Sequence, residues 1–411
     1  MPGQLLTVDA ALRLIEQQAA PLAAIATPLE EALGLCLAAD AVSNVDSPPH
    51  DKAMMDGYAV IGDEPLSELA VIEEVVAGAV PTLAVAAGQA TRIMTGAPIP
   101  PGAEAVIPVE QTELRDADTV RLTSPAPPAG KHVMRRGEVF ERGAVVLTSG
   151  TPIGPAQLAL LAETGNATPA VIPTPTVGVL ATGDELVGAD QTPAAGQIRN
   201  SNGPMLHALV RQAGARLLPL GVARDNAESL AERITAGATA DVLVLSGGVS
   251  AGKRDLAPGI LAELGARQVF HKVSVKPGKP LWFGVWRHAD GRQTLVFGLP
   301  GNPVSGFVCF HLFVRPALRR LAGGEFAGLP RVAVTLDQAV TVKGDRRTYL
   351  PAAVALDPAG SRRARPVAWR GSADLLGLAA AAALLDLPAE RSPYAAGDRV
   401  EALLLTPAGV A

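Results

Sequence analysis

The hydrophobic and polar positions follow their most regular pattern between residues 174 and 327. Short apolar runs typical of buried strands alternate there with amphipathic segments that have helical spacing. Strands separated by helices in this way favour βαβ units and a parallel sheet. The predicted strands are TVGVLAT, ARLLPLGVA, DVLVLSGG and QTLVFGLP, and the predicted helices are GPMLHALVRQAG, NAESLAERITAG, APGILAELG and NPVSGFVCFHLFVRPALRRLAG.

The regions on either side of this segment are predicted to be mainly β. A helix over residues 7–20, which Thr7 can cap, opens the chain. Short β-like runs between proline and glycine turns extend from Ser47 to about Arg136, and they resume after Pro330. We therefore predict a multidomain protein of the α/β plus β class, in which a central α/β domain has a parallel-type sheet.

Composition narrows the class of protein. With 411 residues, 48% of them apolar, the chain is too long for one ordinary core, and several domains are expected. The net charge of −5 and the 3% of aromatic residues argue against a nucleic-acid binder, which would need a basic face or stacking platforms. Cys36 and Cys309 lie in apolar runs, so we expect neither a disulfide framework nor a cysteine metal site.

The apolar runs also indicate the cellular compartment that we expect for the protein. The N-terminal stretch MPGQLLTVDAALRLIEQ lacks the unbroken apolar core of a signal peptide. The longest apolar run, from Leu375 to Leu385, is too short to span a bilayer. We expect a cytoplasmic protein without a membrane segment.

Carboxylates follow three of the predicted strands in the α/β segment. Glu185 lies in TGDEL, Asp225 in GVARDN, and Asp255 shortly after DVLVLSGG. The carboxyl ends of parallel strands meet at one edge of a sheet, where ligands bind, and three carboxylates brought together there repel one another unless a cation lies among them. Because oxygen ligands suit Mg²⁺, we predict a Mg²⁺ site at these three residues, although TGDEL alone is as typical of a polar turn.

A glycine-rich turn follows the strand DVLVL in the segment SGGVS. Gly247 and Gly248 would let backbone N–H groups approach an anion closely, and Ser246 and Ser250 would add hydroxyl groups. The chain contains neither a Walker A motif nor GxGxxG, which excludes a P-loop enzyme and a Rossmann dehydrogenase. We predict a phosphate-binding turn of another class.

Three lysines and a helix start complete the polar segments of this region. Lys272, Lys276 and Lys279 occur within HKVSVKPGKPLWFG, and on a strand Lys272 and Lys276 would share a face. The alternative is a solvated strand face, but the apolar flanks favour binding. In LPGNPVS, Asn302 can cap a helix and Pro303 suits its first position, so the helix start would face the same edge.

Two turns in the first half of the chain present polar side chains. HDKAMMDGYAV is an apolar run broken at Asp56, and RIMTGAPIP places Thr95 in a similar turn. Each turn alone is more often structural than catalytic.

Seven short motifs occur in an order that resembles one protein family. They are MDGYAV, RIMTGAPIP, RRGE, TGDEL, SGGVS, KPGKP and LPGNPVS. In this order and spacing they resemble the MoeA and gephyrin E-domain family, the molybdopterin molybdenumtransferases. The resemblance extends from Thr7 to about Leu405, which is nearly the whole chain.

The resemblance implies a four-domain subunit and an elongated homodimer. It implies that the central domain has the molybdopterin-binding, MogA-like α/β fold, with an inserted β-rich domain before it and a C-terminal β-barrel after it. The implied domains are residues 1–46 together with 138–173 (elongated N-terminal domain), 47–137 (inserted β-rich domain), 174–327 (α/β domain) and 328–411 (β-barrel).

The resemblance also implies the reaction. Members of the family take adenylylated molybdopterin and molybdate, cleave the pyrophosphate bond with Mg²⁺, and release AMP and molybdenum cofactor, and a molybdopterin adenylyltransferase would act upstream. Asp56 and Thr95 are implied to reach the cleft from the partner subunit. The implied catalytic residues are Asp56, Thr95, Glu185, Asp225, Asp255, Lys272 and Lys276. The candidate substrate-binding residues, from the motifs and the resemblance together, are Ser246, Gly247, Gly248, Ser250, Lys279, Pro300, Pro303 and Ser372.

Three places depart from the family pattern. Val139 stands where aspartate is usual, Ala53-Met54 stands where Ser-Ala is common, and Pro351 stands where a molybdate-contacting arginine is often found. Arg346 or Arg347 is the candidate to replace that arginine. Two alternatives to the transferase stay open: a paralogue that binds molybdopterin as a carrier or scaffold without inserting metal, and a nucleotide pyrophosphatase, against which the N-terminal motifs argue.

Overall fold

The computed structural model describes residues 5–248 and 256–405. The chain divides into two compact units, of which the larger comprises Met1–Ile25 and Ile172–Ala411 and the smaller comprises Ala26–Val171. The four domain boundaries implied by the family resemblance are finer than this division, and they stay a prediction. Among the helices described, none combines the length and the hydropathy needed to cross a bilayer.

The larger unit contains a six-stranded sheet with the spatial strand order β2-β1-β3-β6-β5-β4. The strands β2, β1, β3 and β6 run parallel, as predicted, whereas β5 is antiparallel to both of its neighbours. The sheet is therefore mixed, because β4 and β5 add a hairpin-like edge to the parallel part. The strands are β1 (Thr176–Thr182), β2 (Arg216–Ala223), β3 (Val242–Ser246), β4 (Ala266–His271), β5 (Trp282–Arg287) and β6 (Gln293–Leu299).

Helices cover both faces of this sheet. The predicted long helix after β6 is continuous from Pro303 to Leu321, but its middle, Phe310–Val314, is a π-helical turn. Pro316 has no N–H to bond the carbonyl four residues earlier, and its ring would collide with that carbonyl, which explains the wider turn. The helices are α1 (Asn202–Gln212), α2 (Ala227–Ala236), α3 (Ala257–Glu263), α4 (Pro303–Cys309) and α5 (Arg315–Leu321).

The N-terminal helix Val8–Glu16 packs against the same core. It is capped as predicted, because the Thr7 hydroxyl oxygen accepts a hydrogen bond from the Ala10 N–H at 3.2 Å. At the centre of the core the ring of Phe283 lies 5.4 Å from that of Phe270 and 4.9 Å from that of Phe297. Each of these buried rings contributes about 1.5–3 kcal/mol through burial, so the sheet edge that carries the polar motifs rests on a rigid base.

The C-terminal part of the larger unit is a closed five-stranded barrel with the ring order β8-β9-β7-β11-β10, which confirms the predicted barrel. The ring closes because β8 also pairs with β10. The sequence missed β10, whose five residues are all buried and therefore show no alternation. The barrel strands are β7 (Arg331–Leu336), β8 (Arg347–Leu356), β9 (Arg362–Pro366), β10 (Ala383–Leu387) and β11 (Arg399–Leu404), and a short helix, Leu375–Ala379, precedes β10.

The smaller unit has a six-stranded sheet of its own, as the short β-like runs of the first half predicted. Its strands, in spatial order, are Ala105–Pro108, Gly57–Val60, Gln89–Ile93, Glu68–Val75, Thr119–Leu122 and Thr112–Leu114. The remaining elements around it are the helix Pro155–Glu163, the 3₁₀ turn Leu29–Glu31 and the short strands Cys36–Leu37, Ala41–Val42, Lys52–Ala53, Val133–Met134, Val145–Leu147 and Ala170–Ile172.

The π-helical turn carries a buried histidine that gives the fold a testable pH dependence. Burial, assisted by the charge of Arg315, lowers the pKa of His311 to about 3 from an ordinary 6.5. Below pH 6.5 the unfolded chain therefore binds a proton at His311, whereas the folded chain does not bind one until the pH nears 3. The free energy of unfolding falls as the pH falls from 6.5 towards 3.

We expect His311 to account for about 2 kcal/mol of lost unfolding free energy between pH 7 and pH 5. His311→Leu should remove that loss, measured by urea unfolding at the two pH values with tryptophan fluorescence. All three tryptophans lie in the larger unit. His50→Gln, at an exposed position, leaves His311 in place and should keep the wild-type pH dependence. An unchanged pH dependence in His311→Leu would contradict the prediction.

Candidate active site

A cavity of about 710 Å³ lies at the carboxyl edge of the parallel strands. We call it the edge cavity. Its walls come from the end of β1 (Thr182), the turn after β3 (residues 246–248), the segment after β6 (residues 300–303) and Asp225 after β2. The structure thus brings these four segments together at one cavity.

The turn after β3 requires glycine at two successive positions. Gly247 and Gly248 have φ angles of 93° and 63°, in the left-handed region. A Cβ atom on Gly247 would lie 2.8 Å from the carbonyl oxygen of Thr182, and one on Gly248 would lie 2.8 Å from the Thr182 hydroxyl oxygen. The backbone can therefore pass directly over the end of β1 only without side chains at these two positions.

Asn202, the first residue of α1, forms hydrogen bonds to two walls of the edge cavity. Its Nδ2 donates to the hydroxyl oxygen of Ser246 at 2.8 Å and to the carbonyl oxygen of Gly301 at 2.6 Å. Within the described part of the chain, Asn202 Oδ1 and the Thr182 hydroxyl are buried without a hydrogen-bond partner. Buried polar atoms are rarely unpaired, so two of them beside one cavity mark it as a place for a polar ligand.

Two of the three predicted metal-binding carboxylates line the edge cavity. Glu185 and Asp225 are both exposed to it, and the Asp225 N–H donates to Asp184 Oδ1 at 3.2 Å. Asp255, the third, lies outside the described residues, as does Ser250. Across residues 5–248 and 256–405, no group of three histidine, cysteine, aspartate or glutamate side chains is placed to hold a metal ion. Two carboxylates still fit Mg²⁺ that keeps its waters and binds the phosphates of a substrate.

A second cavity, of about 510 Å³, adjoins the first. We call it the lysine cavity, because Lys276 and Lys279 line it together with Arg346 and Ser372. The two cavities share Pro280, Pro300 and Asn302 as lining residues. A cavity with two carboxylates therefore lies next to one with three cationic side chains.

The loop that carries the lysines, residues 272–279, differs from the strand that the sequence predicted. Lys272 has a φ angle of 73°, and it lines neither of the two cavities. Lys276 belongs to a two-residue strand, Val275–Lys276, that pairs with β8 of the barrel. The prediction that Lys272 and Lys276 share a strand face is wrong, because the backbone leaves the extended conformation at Lys272.

The helix start after β6 was predicted correctly in position but not in its contacts. Asn302 and Pro303 occupy the cap and first positions of α4, yet the Asn302 side chain makes no capping hydrogen bond. Its Nδ2 donates instead to the Ser372 hydroxyl oxygen at 2.8 Å, and the Val304 N–H donates to the Ser372 carbonyl oxygen at 3.0 Å. Asn302 thus joins the α/β sheet to the segment before β10.

Asp56 and Thr95, in the smaller unit, contact each other. Asp56 Oδ1 accepts from both the Thr95 N–H and the Thr95 hydroxyl, each at 2.6 Å. These bonds lower the pKa of the Asp56 carboxyl. The two turns that the sequence singled out therefore form one exposed anionic element.

Sequence reasoning missed several lining residues. Thr182, Arg199, Asn200 and Asn202 line the edge cavity, and Trp369 lines the lysine cavity. The polar run RNSNG at the start of α1 is the signal that could have revealed Asn200 and Asn202, since it follows a strand and begins a helix at the ligand-binding edge.

Comparisons with known proteins identify the family. Residues 6–165 match the family model of the MoeA N-terminal region (domains I and II), residues 178–320 that of a probable molybdopterin binding domain, and residues 333–405 that of the MoeA C-terminal region (domain IV). The matches define a transferase of molybdenum cofactor biosynthesis.

Relatives that match nearly the whole chain show the family to which it belongs. The molybdopterin molybdenumtransferase of Staphylococcus aureus (strain Mu50) is 34% identical over 96% of this chain and 94% of its own. That of a Nostoc species is 35% identical over 90% and 86%. A crystal structure of the molybdopterin biosynthesis MoeA protein from Pyrococcus horikoshii has a TM-score of 0.81 and 32% identity, covering 98% of this chain and 100% of that one. The chain belongs to the molybdopterin molybdenumtransferase family.

The glycine turn provides a direct test of the edge cavity. Gly247→Ala should weaken molybdopterin binding at least about tenfold, because the new Cβ would force the turn away from Thr182. Titration calorimetry under anoxic conditions would measure the affinity. Gly259→Ala is the matched control, since its Cβ would meet nothing within 4 Å, and it should leave the affinity unchanged. Equal affinities for the two variants would refute the role of the turn.

Proposed function

We propose that this protein transfers molybdenum from molybdate to adenylylated molybdopterin, with Mg²⁺-dependent release of AMP. The observation that carries the proposal is the pair of adjoining cavities, one with carboxylates and a glycine turn and the other with cationic side chains. Two different anionic substrates that react with each other need two such sites side by side.

The edge cavity suits the pterin substrate and its phosphoanhydride. Its volume of about 710 Å³ is that of a site for a small organic ligand. Because Gly247 and Gly248 carry no side chains, a phosphate oxygen can approach the backbone of the turn closely, and Arg199 supplies a guanidinium group to the same cavity. Ser246, Pro300 and Pro303 contribute the remaining walls.

Glu185 and Asp225, with Asp255, are the residues that would hold Mg²⁺. When bound there, the cation would neutralise phosphate oxygens and so favour cleavage of the phosphoanhydride. Water would add to the phosphorus on the pterin side, and the bond from that phosphorus to the bridging oxygen would break. AMP would leave with the bridging oxygen, the protons of the water would pass to solvent, and the pterin would retain its phosphate monoester.

The lysine cavity suits a tetrahedral oxyanion dianion such as molybdate. Lys276, Lys279 and Arg346 provide positive charge, and Ser372 provides a hydroxyl donor. Arg346 is the candidate to replace the arginine missing at Pro351, because Arg346 lines the cavity while Pro351 pairs with Leu384 in the barrel wall.

The decisive assay measures AMP release from adenylylated molybdopterin with Mg²⁺, in the presence and absence of molybdate. We expect release that depends on molybdate and stops on removal of Mg²⁺ by a chelator, together with formation of active cofactor. Tight substrate binding without turnover would instead favour the carrier or scaffold. AMP release at the same rate with and without molybdate would favour a pyrophosphatase.

The lysine cavity can be tested separately. Lys276→Ala should raise the KM for molybdate about tenfold or more, because a charge-assisted contact to the oxyanion is lost. The matched control is Arg365→Ala, which removes one positive charge from a side chain that is 71% exposed on the barrel. The control should keep the wild-type KM, and a similar rise in both variants would point to a general charge effect.

We further propose a homodimer in which Asp56 and Thr95 complete the site of the partner subunit. Asp56 is ionised and held by Thr95, which suits a fixed anionic group beside a reacting phosphate or cation. The proposal follows the family resemblance, and it makes a sharp prediction about mixed dimers.

At molybdate concentrations well below the wild-type KM, the Asp56→Asn and Lys276→Ala homodimers should each retain about a tenth or less of the wild-type activity. In a mixed dimer, one site would contain both substitutions and the other neither, so purified heterodimers carrying two different tags should recover about half of the wild-type activity. If each site were built from one chain, the mixed dimer would have two defective sites and no recovery would occur.

A further inference from the structure

Asp386 and Arg347 form an ion pair on the outer face of the barrel, the face that packs against the core of the α/β domain. The Asp386 side chain, on β10, is 2% exposed. Its Oδ1 accepts from Arg347 Nε at 2.6 Å and its Oδ2 accepts from Arg347 Nη2 at 2.7 Å, which is the two-pronged geometry of a strong arginine–carboxylate pair. A second arginine, Arg331, donates from Nη1 to Asp386 Oδ2 at 2.8 Å.

The pair continues outwards to two exposed carboxylates. Arg347 Nη1 donates to Asp9 Oδ1 of the N-terminal helix at 3.3 Å, and Arg331 Nη1 donates to Glu401 Oε2 at 2.9 Å. Asp386 is the buried centre of this network. Its loss would leave Arg347 bonded to the exposed Asp9 and Arg331 bonded to the exposed Glu401. Removing one member of a buried pair leaves an uncompensated charge that the surrounding structure must move to relieve.

Arg347 is adjacent to a residue of the lysine cavity. Arg347 begins β8 and bonds Asp386 on the outer face of the barrel, whereas Arg346, the residue before the strand, lines the cavity. Arg346 Nη1 donates to the Val275 carbonyl oxygen at 3.2 Å, and Val275 pairs directly with Arg347. The position of the Val275–Lys276 strand is therefore set by the start of β8.

The N-terminal segment holds the lysine loop from another direction. The Ser274 N–H donates to the Leu6 carbonyl oxygen at 2.7 Å, and Leu6 forms a bridge with Val273. The helix that follows Leu6 carries Asp9, which contacts Arg347. Three segments thus meet at Arg347: the N-terminal helix, β8 and, through its pairing, the lysine loop.

We propose that Asp386 is a positioning residue for the oxyanion subsite. It does not line the lysine cavity. By fixing Arg347 it fixes the start of β8, and with it the positions of Arg346 and Lys276. The inference rests on the proposed function of the lysine cavity as the molybdate site.

The test combines molybdate binding with steady-state kinetics on the full-length protein. Asp386→Asn should raise both the Kd for molybdate, measured by calorimetry, and the KM for molybdate about tenfold, because small displacements of substrate-holding groups have effects of that order. The KM for adenylylated molybdopterin should stay within about twofold, since the edge cavity does not depend on β8. Arg347→Lys keeps the charge but loses the two-pronged bond, and it should give a smaller rise of about threefold.

Glu401→Gln is the matched control, because it removes an exposed member of the same network on the side of Arg331. It should leave all three constants within about twofold. If Asp386→Asn does not fold, as judged by circular dichroism and elution volume, the molybdate affinity and kinetics of Arg347→Lys alone test the inference.

Four outcomes are distinct. A selective loss of molybdate affinity in the variants supports the inference. An unchanged Kd for molybdate in folded Asp386→Asn overturns it, as does an equal effect on both substrates. A wild-type protein that binds no molybdate overturns the proposed function itself, and the inference with it.

Discussion

The close approach of the Gly247–Gly248 backbone to Thr182 is the contact on which the candidate site depends. In the parallel pairing of β1 and β3, Ala181 lies beside Ser246, so the chain leaving β3 must turn directly above the end of β1. Any Cβ at the turn would collide with Thr182. The left-handed glycines allow the turn, in which the Gly247 N–H donates to the Leu299 carbonyl oxygen at 3.2 Å.

The wall between the two cavities lies at the same edge of the sheet. It contains Pro280 and Pro300, which have fixed φ angles and no N–H group. These two prolines do not compete with the lysines for an anion. Asn302, the remaining shared residue, donates from Nδ2 to the Ser372 hydroxyl oxygen at 2.8 Å. The shared wall therefore contributes few donors, and Lys276 and Lys279 lie on another wall of the lysine cavity.

The sequence predicted those features that depend on local pattern. The parallel strands and the glycine turn were predictable, because apolar runs followed by polar strand ends have few other interpretations. The strands β5 and β10 were not, since both are buried on two faces and lack alternation. The choice between Arg346 and Arg347 also required the structure, because the sequence does not show that Arg347 bonds Asp386 while Arg346, just before β8, lines the cavity.

The separation of charge between the cavities addresses a problem posed by the proposed substrates. Molybdate and a phosphoanhydride are both anions, so one cavity lined by lysines alone would accept two copies of either. Glu185 and Asp225 repel a free oxyanion from the edge cavity, whereas a substrate that brings Mg²⁺ with its phosphates cancels that repulsion. Under the proposed function, the oxyanion would then bind at Lys276, Lys279 and Arg346. The two sites would fill with one substrate each, and the charges on their walls rather than cavity size would select between the substrates.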